Sequence, residues 1–186
     1  IVMTNGNTTI KVRHQDHGMY DADNNVSITG VSSGISTTLN GALTTDSTSL
    51  TLTSATSFPS SGTVTVKISN EILSGTISGT TLSSLTRGIG ASDAAAHSDD
   101  ATVELYMINS VPLTEINKTH TTIGNINIDS YTFETTTTPV VAGVSGDAEV
   151  GGTAVYASEN YRFELMKSAI QTLELDGTSI IAKVRS

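Results

Sequence analysis

The feature that most constrains the fold of this chain is the alternation of apolar and polar residues within short segments. The alternation occurs at residues 10–14, 26–31, 50–52, 64–68, 103–106 and 126–128. Successive side chains of a β-strand point to opposite faces, so such alternation indicates a strand with one buried face. The segments are rich in Val, Ile and Thr, whose branched side chains fit a pleated sheet. They therefore predict many short, half-buried strands.

Turn-forming residues separate these segments and bear on the fold class. Clusters built largely from Asp, Asn, Gly, Ser and Pro lie at residues 21–25, 59–62, 78–79 and 143–152. Short strands divided by turns at intervals of about eight to twelve residues are typical of β-sandwiches and β-barrels. We predict an all-β fold made of small β-sandwich or β-barrel modules.

Two segments carry weaker helical signals. Residues 91–101 are rich in Ala but lack an apolar stripe, which predicts a loop with at most one helical turn. Residues 158–173 suit either an amphipathic helix or strands. We favour strands, because Asp176-Gly177 stands between two alternating runs and is typical of a type I′ hairpin turn.

The composition excludes several classes of protein. Thr and Ser make up 55 of the 186 residues, and the absence of Cys excludes disulfide scaffolds, thiolate metal sites and Cys nucleophiles. The net charge of −9 argues against nucleic-acid binding, which needs clustered Lys and Arg. We expect no membrane insertion, since no apolar run approaches the roughly 20 residues that span a bilayer. The chain begins at Ile1, and we expect it to be a piece of a longer polypeptide.

Four motifs form an ordered outer set. They are His17-Gly18-Met19, Val26-Ser27-Ile28-Thr29-Gly30-Val31, Glu115-Ile116-Asn117-Lys118-Thr119-His120-Thr121 and Asp129-Ser130-Tyr131-Thr132-Phe133. This set resembles a small β module that recurs in virion structural proteins of tailed bacteriophages, including phages of marine cyanobacteria.

A second set of motifs lies between the two halves of the outer one. It comprises Ser57-Phe58-Pro59, Ser61-Gly62-Thr63-Val64, Asn70-Glu71-Ile72, Leu85-Thr86-Arg87-Gly88, His97 and Ala101-Thr102-Val103. It resembles another module of phage tails and fibres, but has Leu73-Ser74 where an aromatic residue is usual and Asp99-Asp100 where Gly is usual. The resemblance implies a discontinuous outer β module of residues 1–35 plus 108–142 and an inserted β module of residues 36–107. Residues 143–186 are then a linker and the start of a following β segment.

The resemblance also implies a function. It points to a structural component located in the virion, in a tail fibre, baseplate or neck, whose partners are other virion proteins and further copies of itself. It implies no reaction, so we expect no enzymatic activity, no catalytic residues and no cofactor. The alternative is an adhesion module that binds a host-surface glycan, for which Tyr20 is the candidate contact. A third possibility, a glycan-cleaving enzyme, requires two carboxylates about 5 to 10 Å apart in a groove.

The densest group of titratable residues lies near the start of the chain. His14, His17 and Asp21 could form a metal site with two His ligands and one carboxylate. The competing interpretation, which we favour, is a structural turn in which His17 packs its ring and bonds the backbone while Gly18 adopts the left-handed conformation. Asp21 and Asp23 have the alternating oxygen ligands of a calcium loop, but the loop lacks the usual Gly and Glu. We therefore expect no metal.

A second pair of charged residues is expected to be structural. Glu71 lies in the strand that follows residues 64–68, and Arg87 lies at a later turn. We predict an ion pair between them, which would contribute roughly 0 to 1 kcal/mol if it were exposed.

Overall fold

The computed structural model describes residues 1–15, 17, 19 and 25–140, together with the backbone of four strands beyond residue 140. These residues form strands and loops, with one short 3-10 turn at Leu113–Glu115, and the predicted all-β fold is confirmed. Within this described part, no helix has the length and apolar character needed to cross a membrane.

The described strands are short, as the alternating segments predict. In chain order they are β1 (Val2–Thr4), β2 (Thr9–Arg13), β3 (Val26–Thr29), β4 (Ser36–Thr38), β5 (Ser49–Thr51), β6 (Ser61–Ile68), β7 (Glu71–Ser78), β8 (Thr81–Thr86), β9 (Thr102–Leu105), β10 (Met107–Ile108), β11 (Val111–Pro112), β12 (Thr119–His120), β13 (Gly124–Asn127), β14 (Ser130–Glu134), β15 (Asp147–Glu149), β16 (Tyr156–Glu159), β17 (Ile170–Asp176) and β18 (Ser179–Val184).

The middle of the chain forms a curled antiparallel sheet. Its described strands pair in the order β4-β9-β6-β7-β8-β5. The two edge strands meet, because Leu39 and Leu52 form a β-bridge directly after them. The Asn40 N–H donates to the Thr51 carbonyl over 2.8 Å, and the Thr53 N–H donates to the Thr38 carbonyl over 2.9 Å. The curl therefore satisfies backbone groups that an open sheet edge would leave exposed.

A hydrophobic core fills the inside of this curled sheet. Alternation along the strands sends one set of side chains inward, as the burial along β7 and β9 shows. The buried members of the cluster are Leu39, Leu43, Leu50, Leu52, Phe58, Val64, Val66, Ile68, Leu73, Ile77, Leu82, Val103, Leu105 and Met107. All of them come from residues 39–107.

A second core lies between two other sheets. The described strands of one sheet pair in the order β13-β14-β2-β1-β15, and those of the other in the order β12-β3-β16. The buried members of this cluster are Met3, Ile10, Val12, Met19, Val26, Ile28, Val31, Ile108, Val111, Leu113, Ile116, Ile123, Tyr131 and Phe133. They come from residues 3–31 and 108–133, on both sides of the curled sheet in sequence.

The chain passes between the two cores along two paired connections. The Leu105 N–H donates to the Ile35 carbonyl over 2.9 Å, and Ser33 Oγ donates to the Leu105 carbonyl over 2.5 Å. Met107 belongs to one core and Ile108 to the other, so the second crossing takes place within β10. The outgoing and returning segments are thus bonded to each other.

Two strands that pair with the sheets of the second core lie in the segment predicted as a linker and the start of a following β segment. β15 lies within the predicted turn cluster at residues 143–152 and pairs antiparallel with β1, while β16 pairs antiparallel with β3. β15 therefore extends one sheet of the second core, and β16 extends the other. The physical reason is that β1 and β3 each offer a row of backbone N–H and C=O groups that a further strand can satisfy.

Several local predictions can be compared with the structure. Residues 91–101 form a loop, and β17 pairs with β18 as the predicted hairpin requires. The predicted turn at residues 59–62 ends earlier than expected, because β6 already begins at Ser61. Gly177 and residues 161–169 lie outside the described residues.

Candidate functional site

The candidate site is a buried charged cluster at one end of the curled sheet. β7 begins at Glu71 and its antiparallel neighbour β8 ends at Thr86. Adjacent antiparallel strands bring the start of one close to the end of the other, so Glu71 and Arg87 lie side by side. The structure therefore brings together the two residues predicted as an ion pair.

Arg87 binds the Glu71 carboxylate with two parallel hydrogen bonds. Arg87 Nε donates to Oε1 over 2.6 Å, and Nη2 donates to Oε2 over 2.8 Å. The Glu71 side chain has 0% relative exposure, so this pair is buried rather than exposed. Two-pronged Arg–carboxylate pairs are among the strongest hydrogen-bonded contacts in proteins.

Two further donors complete the surroundings of the Glu71 carboxylate. The Ala95 N–H donates to Oε2 over 3.0 Å, and His97 Nε2 donates to the same oxygen over 2.8 Å. Arg87 in turn donates to the carbonyls of Thr44 over 2.7 Å and Ala95 over 2.6 Å. The cluster thereby fastens the loops around residues 44 and 95 to the start of β7.

These contacts decide the charge of Glu71. Burial by itself raises the pKa of the carboxyl group, because it disfavours the charged form. The hydrogen bonds from Arg87, Ala95 and His97, with the positive charge of Arg87, outweigh burial and lower the pKa to about 2. Glu71 is thus ionised near neutral pH, and its oxygens are occupied by donors. This arrangement suits a structural cross-link better than a general base.

The part that His97 plays in this cluster is not predicted by the sequence. His97 belongs to the inner motif set but lies 26 residues from Glu71 in the chain. The available signal was that Glu71, Arg87 and His97 all lie in the inner motif set. Each is a polar residue for which burial requires a partner.

The Gly that follows Arg87 has a structural reason of its own. Gly88 has a φ of +63°, and a Cβ at this position would lie 3.0 Å from both the Ser92 carbonyl oxygen and the Ala94 nitrogen. Only Gly fits such a conformation so close to another segment of backbone. The Arg87-Gly88 motif therefore combines the ion pair with a tight turn.

His17 is buried, and both of its ring nitrogens form hydrogen bonds with backbone groups. The Met19 N–H donates to Nδ1 over 2.9 Å, so the proton is on Nε2, which donates to the Asn127 carbonyl over 2.5 Å. The ring also packs edge-on against Tyr131, with 5.3 Å between centroids. These contacts match the turn interpretation for His17, whereas Gly18 lies outside the described residues.

The predicted ligands of a metal site are only partly described. The rings of His14 and His17 are neighbours, with 5.7 Å between centroids, because the chain turns after β2. Both nitrogens of His17 are already used by the backbone. Within the described ranges no group of three His, Cys, Asp or Glu could hold a metal ion. Asp21, Asp23 and the predicted glycan contact Tyr20 lie outside them.

The outer motif around residue 117 makes backbone contacts of a similar kind. The Asn117 amide accepts a hydrogen bond from the Val31 N–H over 3.0 Å and donates one to the Val31 carbonyl over 2.8 Å. Glu115 accepts bonds from the backbone N–H groups of Thr136 and Thr137 over 2.6 and 3.1 Å. Burial raises the pKa of Glu115, but the bonds from Thr137 and Thr136 outweigh it and lower the pKa.

His120, in the same motif, is buried against an aromatic ring. Its ring lies over Phe133 with 3.8 Å between centroids, and Nε2 donates to the Ile116 carbonyl over 2.9 Å. Burial lowers the pKa of His120, the bond to Ile116 opposes this effect, and the charge of Lys118 adds to it. The net result is a lowered pKa, which favours the neutral ring.

One cleft adjoins the charged cluster, and a second cleft shares two lining residues with the first. One, of about 610 Å³, is lined by Asn70, Asp93 and His97, and the other, of about 310 Å³, is lined by Val31 and Asn117. Lys67 and Tyr106 line both clefts.

Comparison of the chain with protein-family models, with curated proteins and with solved structures finds no match in any of the three.

Proposed function

We propose that this chain is a structural component of the virion of a tailed bacteriophage, a rigid β module of a tail fibre, baseplate or neck. Its partners are other virion proteins and further copies of the same chain. The observation that carries the proposal is that the motif residues which resemble phage modules are used to build the fold. Many of the described ones lie in the two cores or in hydrogen bonds that join separate segments.

The outer motifs illustrate this use. Tyr131 and Phe133 are almost completely buried in one core. His17 and Asn117 form hydrogen bonds with backbone groups that lie 110 and 86 residues away in the chain. A set of residues that holds distant segments together is what a recurring building module needs, because the module must keep its shape in different surroundings.

The inner motifs are used in the same way. Phe58 is buried in the core of the curled sheet, and Glu71, Arg87 and His97 form the buried charged cluster. Satisfied buried polar groups of this kind favour one arrangement of the chain over others. The inner motifs therefore support the same structural role as the outer ones.

The proposal is tested on purified virions. Particles of the phage that encodes this chain are purified on a density gradient, and its peptides are counted against those of the major capsid protein by mass spectrometry. We expect a fixed copy number per particle, consistent with a symmetric assembly. A non-structural protein of the same phage serves as the control and should be absent from the particles. The proposal is wrong if this chain, like the control, is absent from the particles and stays in the soluble lysate.

Adhesion to a host-surface glycan is the second candidate function. The observation that favours it is the pair of polar clefts that share Lys67 and Tyr106. Such a site is compatible with a virion location.

A further inference from the structure

Two positions in the chain have Asn followed by Gly, the pair in which the Asn side-chain amide is most readily attacked. They are Asn5-Gly6 and Asn40-Gly41. In this reaction the backbone nitrogen of the following residue attacks the amide carbon of the Asn side chain. Gly hinders the attack least, because it has no Cβ. Asn5 and Asn40 are both exposed, so water reaches both. The sequence therefore does not distinguish the two sites.

The structure distinguishes them by the group that accepts the N–H of the Gly. The Gly41 N–H donates to Asp99 Oδ1 over 2.7 Å, whereas the Gly6 N–H donates to the Pro139 carbonyl over 3.0 Å. The nitrogen becomes a nucleophile only when it loses this proton. A carboxylate can take up a proton, but a peptide carbonyl is far too weak a base to do so. A base is therefore in place at Gly41 and is not in place at Gly6.

Backbone contacts on both sides hold the carboxylate at Gly41. The Leu39 N–H donates to the Ala101 carbonyl over 2.9 Å, and Leu43 forms a β-bridge with His97. Gly41 itself has a φ of +97° and no atom within 4 Å of the position that a Cβ would occupy. The backbone at Gly41 can therefore adjust when a ring closes there, while the base stays close to it.

We propose that Asn40 is a deamidation site at which Asp99 acts as the base. Asp99 takes the proton from the Gly41 nitrogen, and this nitrogen bonds to the side-chain carbon of Asn40. The bond from that carbon to its NH₂ group breaks, and the group takes up the proton and leaves as ammonia. Water then adds to one of the two carbonyls of the five-membered imide ring. The product at residue 40 is Asp or isoaspartate, and water is the only co-reactant.

The modified residue would lie at the seam that closes the curled sheet. The Asn40 N–H donates to the Thr51 carbonyl over 2.8 Å, directly beside the β-bridge of Leu39 and Leu52. Deamidation adds a negative charge there, and isoaspartate also lengthens the main chain by a methylene group. Both changes weaken the closure of the sheet. The site goes beyond the structural role proposed above and does not depend on it, because the reaction is a property of the isolated chain.

The reaction is followed in the purified chain at pH 8 and 37 °C. One sample is folded and another is unfolded in guanidinium chloride. Peptide mass spectrometry detects the replacement of NH₂ by OH at each Asn, and chromatography separates the Asp and isoaspartate peptides. In the folded chain we expect Asn40 to convert about tenfold faster than Asn5, a modest factor for general base catalysis because a carboxylate is a weak base. In the unfolded chain the two rates should be similar.

The variant Asp99→Asn keeps the size of the side chain and an acceptor oxygen but removes the base. It should slow the conversion of Asn40 to about the rate of Asn5 and leave Asn5 unchanged. The matched control is Asp129→Asn, which removes an exposed carboxylate elsewhere and should change neither rate.

Thermal unfolding checks that the variants fold, and the comparison of Asn40 with Asn5 in the original chain decides the result if Asp99→Asn does not. The inference is overturned if Asn40 converts no faster than Asn5 in the folded chain. It is also overturned if folded Asp99→Asn leaves the rate at Asn40 unchanged, or if the control slows that rate equally. None of these outcomes affects the particle measurement.

Discussion

The Glu71 carboxylate is held in a fully buried position by Arg87, Ala95 and His97. A buried charge destabilises the fold unless donors surround it. Removing Arg87 would leave the Glu71 carboxylate buried without its main partner, and this is the main way in which Arg87 matters for stability. This differs from the expectation for an exposed pair, which contributes little. The two cases differ because the Glu71–Arg87 pair is buried, and no local sequence pattern reveals that burial.

Replacing Arg87 tests the energetic role of the cluster. In Arg87→Ala the ionised Glu71 remains buried without its main partner, and we expect the free energy of unfolding to fall by about 3–5 kcal/mol. Urea denaturation of the purified chain measures the change. The control is Lys118→Ala, which removes an exposed charge and should change stability by no more than about 0.5 kcal/mol. Equal effects of the two variants would contradict the proposed role of Arg87.

Two Gly residues with similar φ values allow the stability cost of backbone strain to be distinguished from that of a close steric contact. Gly79 has a φ of +59° with open space around its missing Cβ, whereas at Gly88 the φ of +63° coincides with backbone atoms 3.0 Å from that position. We expect Gly79→Ala to cost about 1 kcal/mol from the left-handed conformation alone. Gly88→Ala should cost clearly more, and thermal unfolding of the two variants measures the difference. Similar losses of stability in the two variants would mean that the loop near Ser92 moves away from the new Cβ at residue 88 without cost.

At the scale of the elements, the strands follow the local alternation closely. The predicted segments at residues 10–14 and 64–68 correspond to β2 and β6, because a half-buried strand needs only its own alternating residues. The hairpin between β10 and β11 was not anticipated. Its turn residues Asn109 and Ser110 have φ values of +48° and +70°, a pattern typical of a type I′ turn, but Asn-Ser is a weaker signal than Asn-Gly.

Contacts between elements depend on a few side chains, of which Asn117 is the clearest. Its amide pairs with both backbone groups of the buried Val31, as a neighbouring strand would. In Asn117→Ala both backbone groups of Val31 lose their partner. We expect the free energy of unfolding to fall by about 1–3 kcal/mol for each group that stays unsatisfied. Asn117→Asp keeps an acceptor but loses the donor, so it should also destabilise the chain.

Chemical denaturation measures both Asn117 variants. Asn40→Ala is the control, since it removes an exposed amide and should leave stability nearly unchanged. If Asn117→Ala unfolds at the same denaturant concentration as the control, the amide bridge does not join the two segments in solution.

At the scale of the whole molecule, three titratable groups make stability depend on pH in the same direction: the buried Glu71 and His120, and the partly buried Glu115. Glu71 and Glu115 have lowered pKa values, so their stabilising contribution is present above the unfolded value of about 4.5. It is lost as the pH falls, for Glu71 down to about 2. The lowered pKa of His120 means that the unfolded chain binds a proton first below about pH 6.5. This also favours unfolding in acid.

Urea denaturation between pH 8 and pH 2 checks this prediction. We expect a first, smaller loss of stability as the pH falls below 6.5, and a larger one below 4.5. Glu71→Gln should reduce the dependence below pH 4.5, and His120→Phe should reduce it near pH 6. A pH profile that both variants leave unchanged would contradict the assigned contributions.

The sequence by itself determined the all-β class and the positions of many strands, whereas the pairing of Glu71 with Arg87 was a prediction that needed the fold to bring the two residues together. Alternation and turn residues act over a few positions, so they are visible without knowledge of the rest of the chain. The division into an outer module of residues 1–35 plus 108–142 and an inserted module of residues 36–107 remains a prediction.

Only the tertiary structure decided which distant segments meet. It joined Leu39 to Leu52 and so closed the curl of one sheet, brought His97 to Glu71, and placed β15 beside β1. The physical reason is that these contacts depend on strand order and sheet curvature. Those properties follow from the packing of whole sheets around a core, and no short run of residues encodes them.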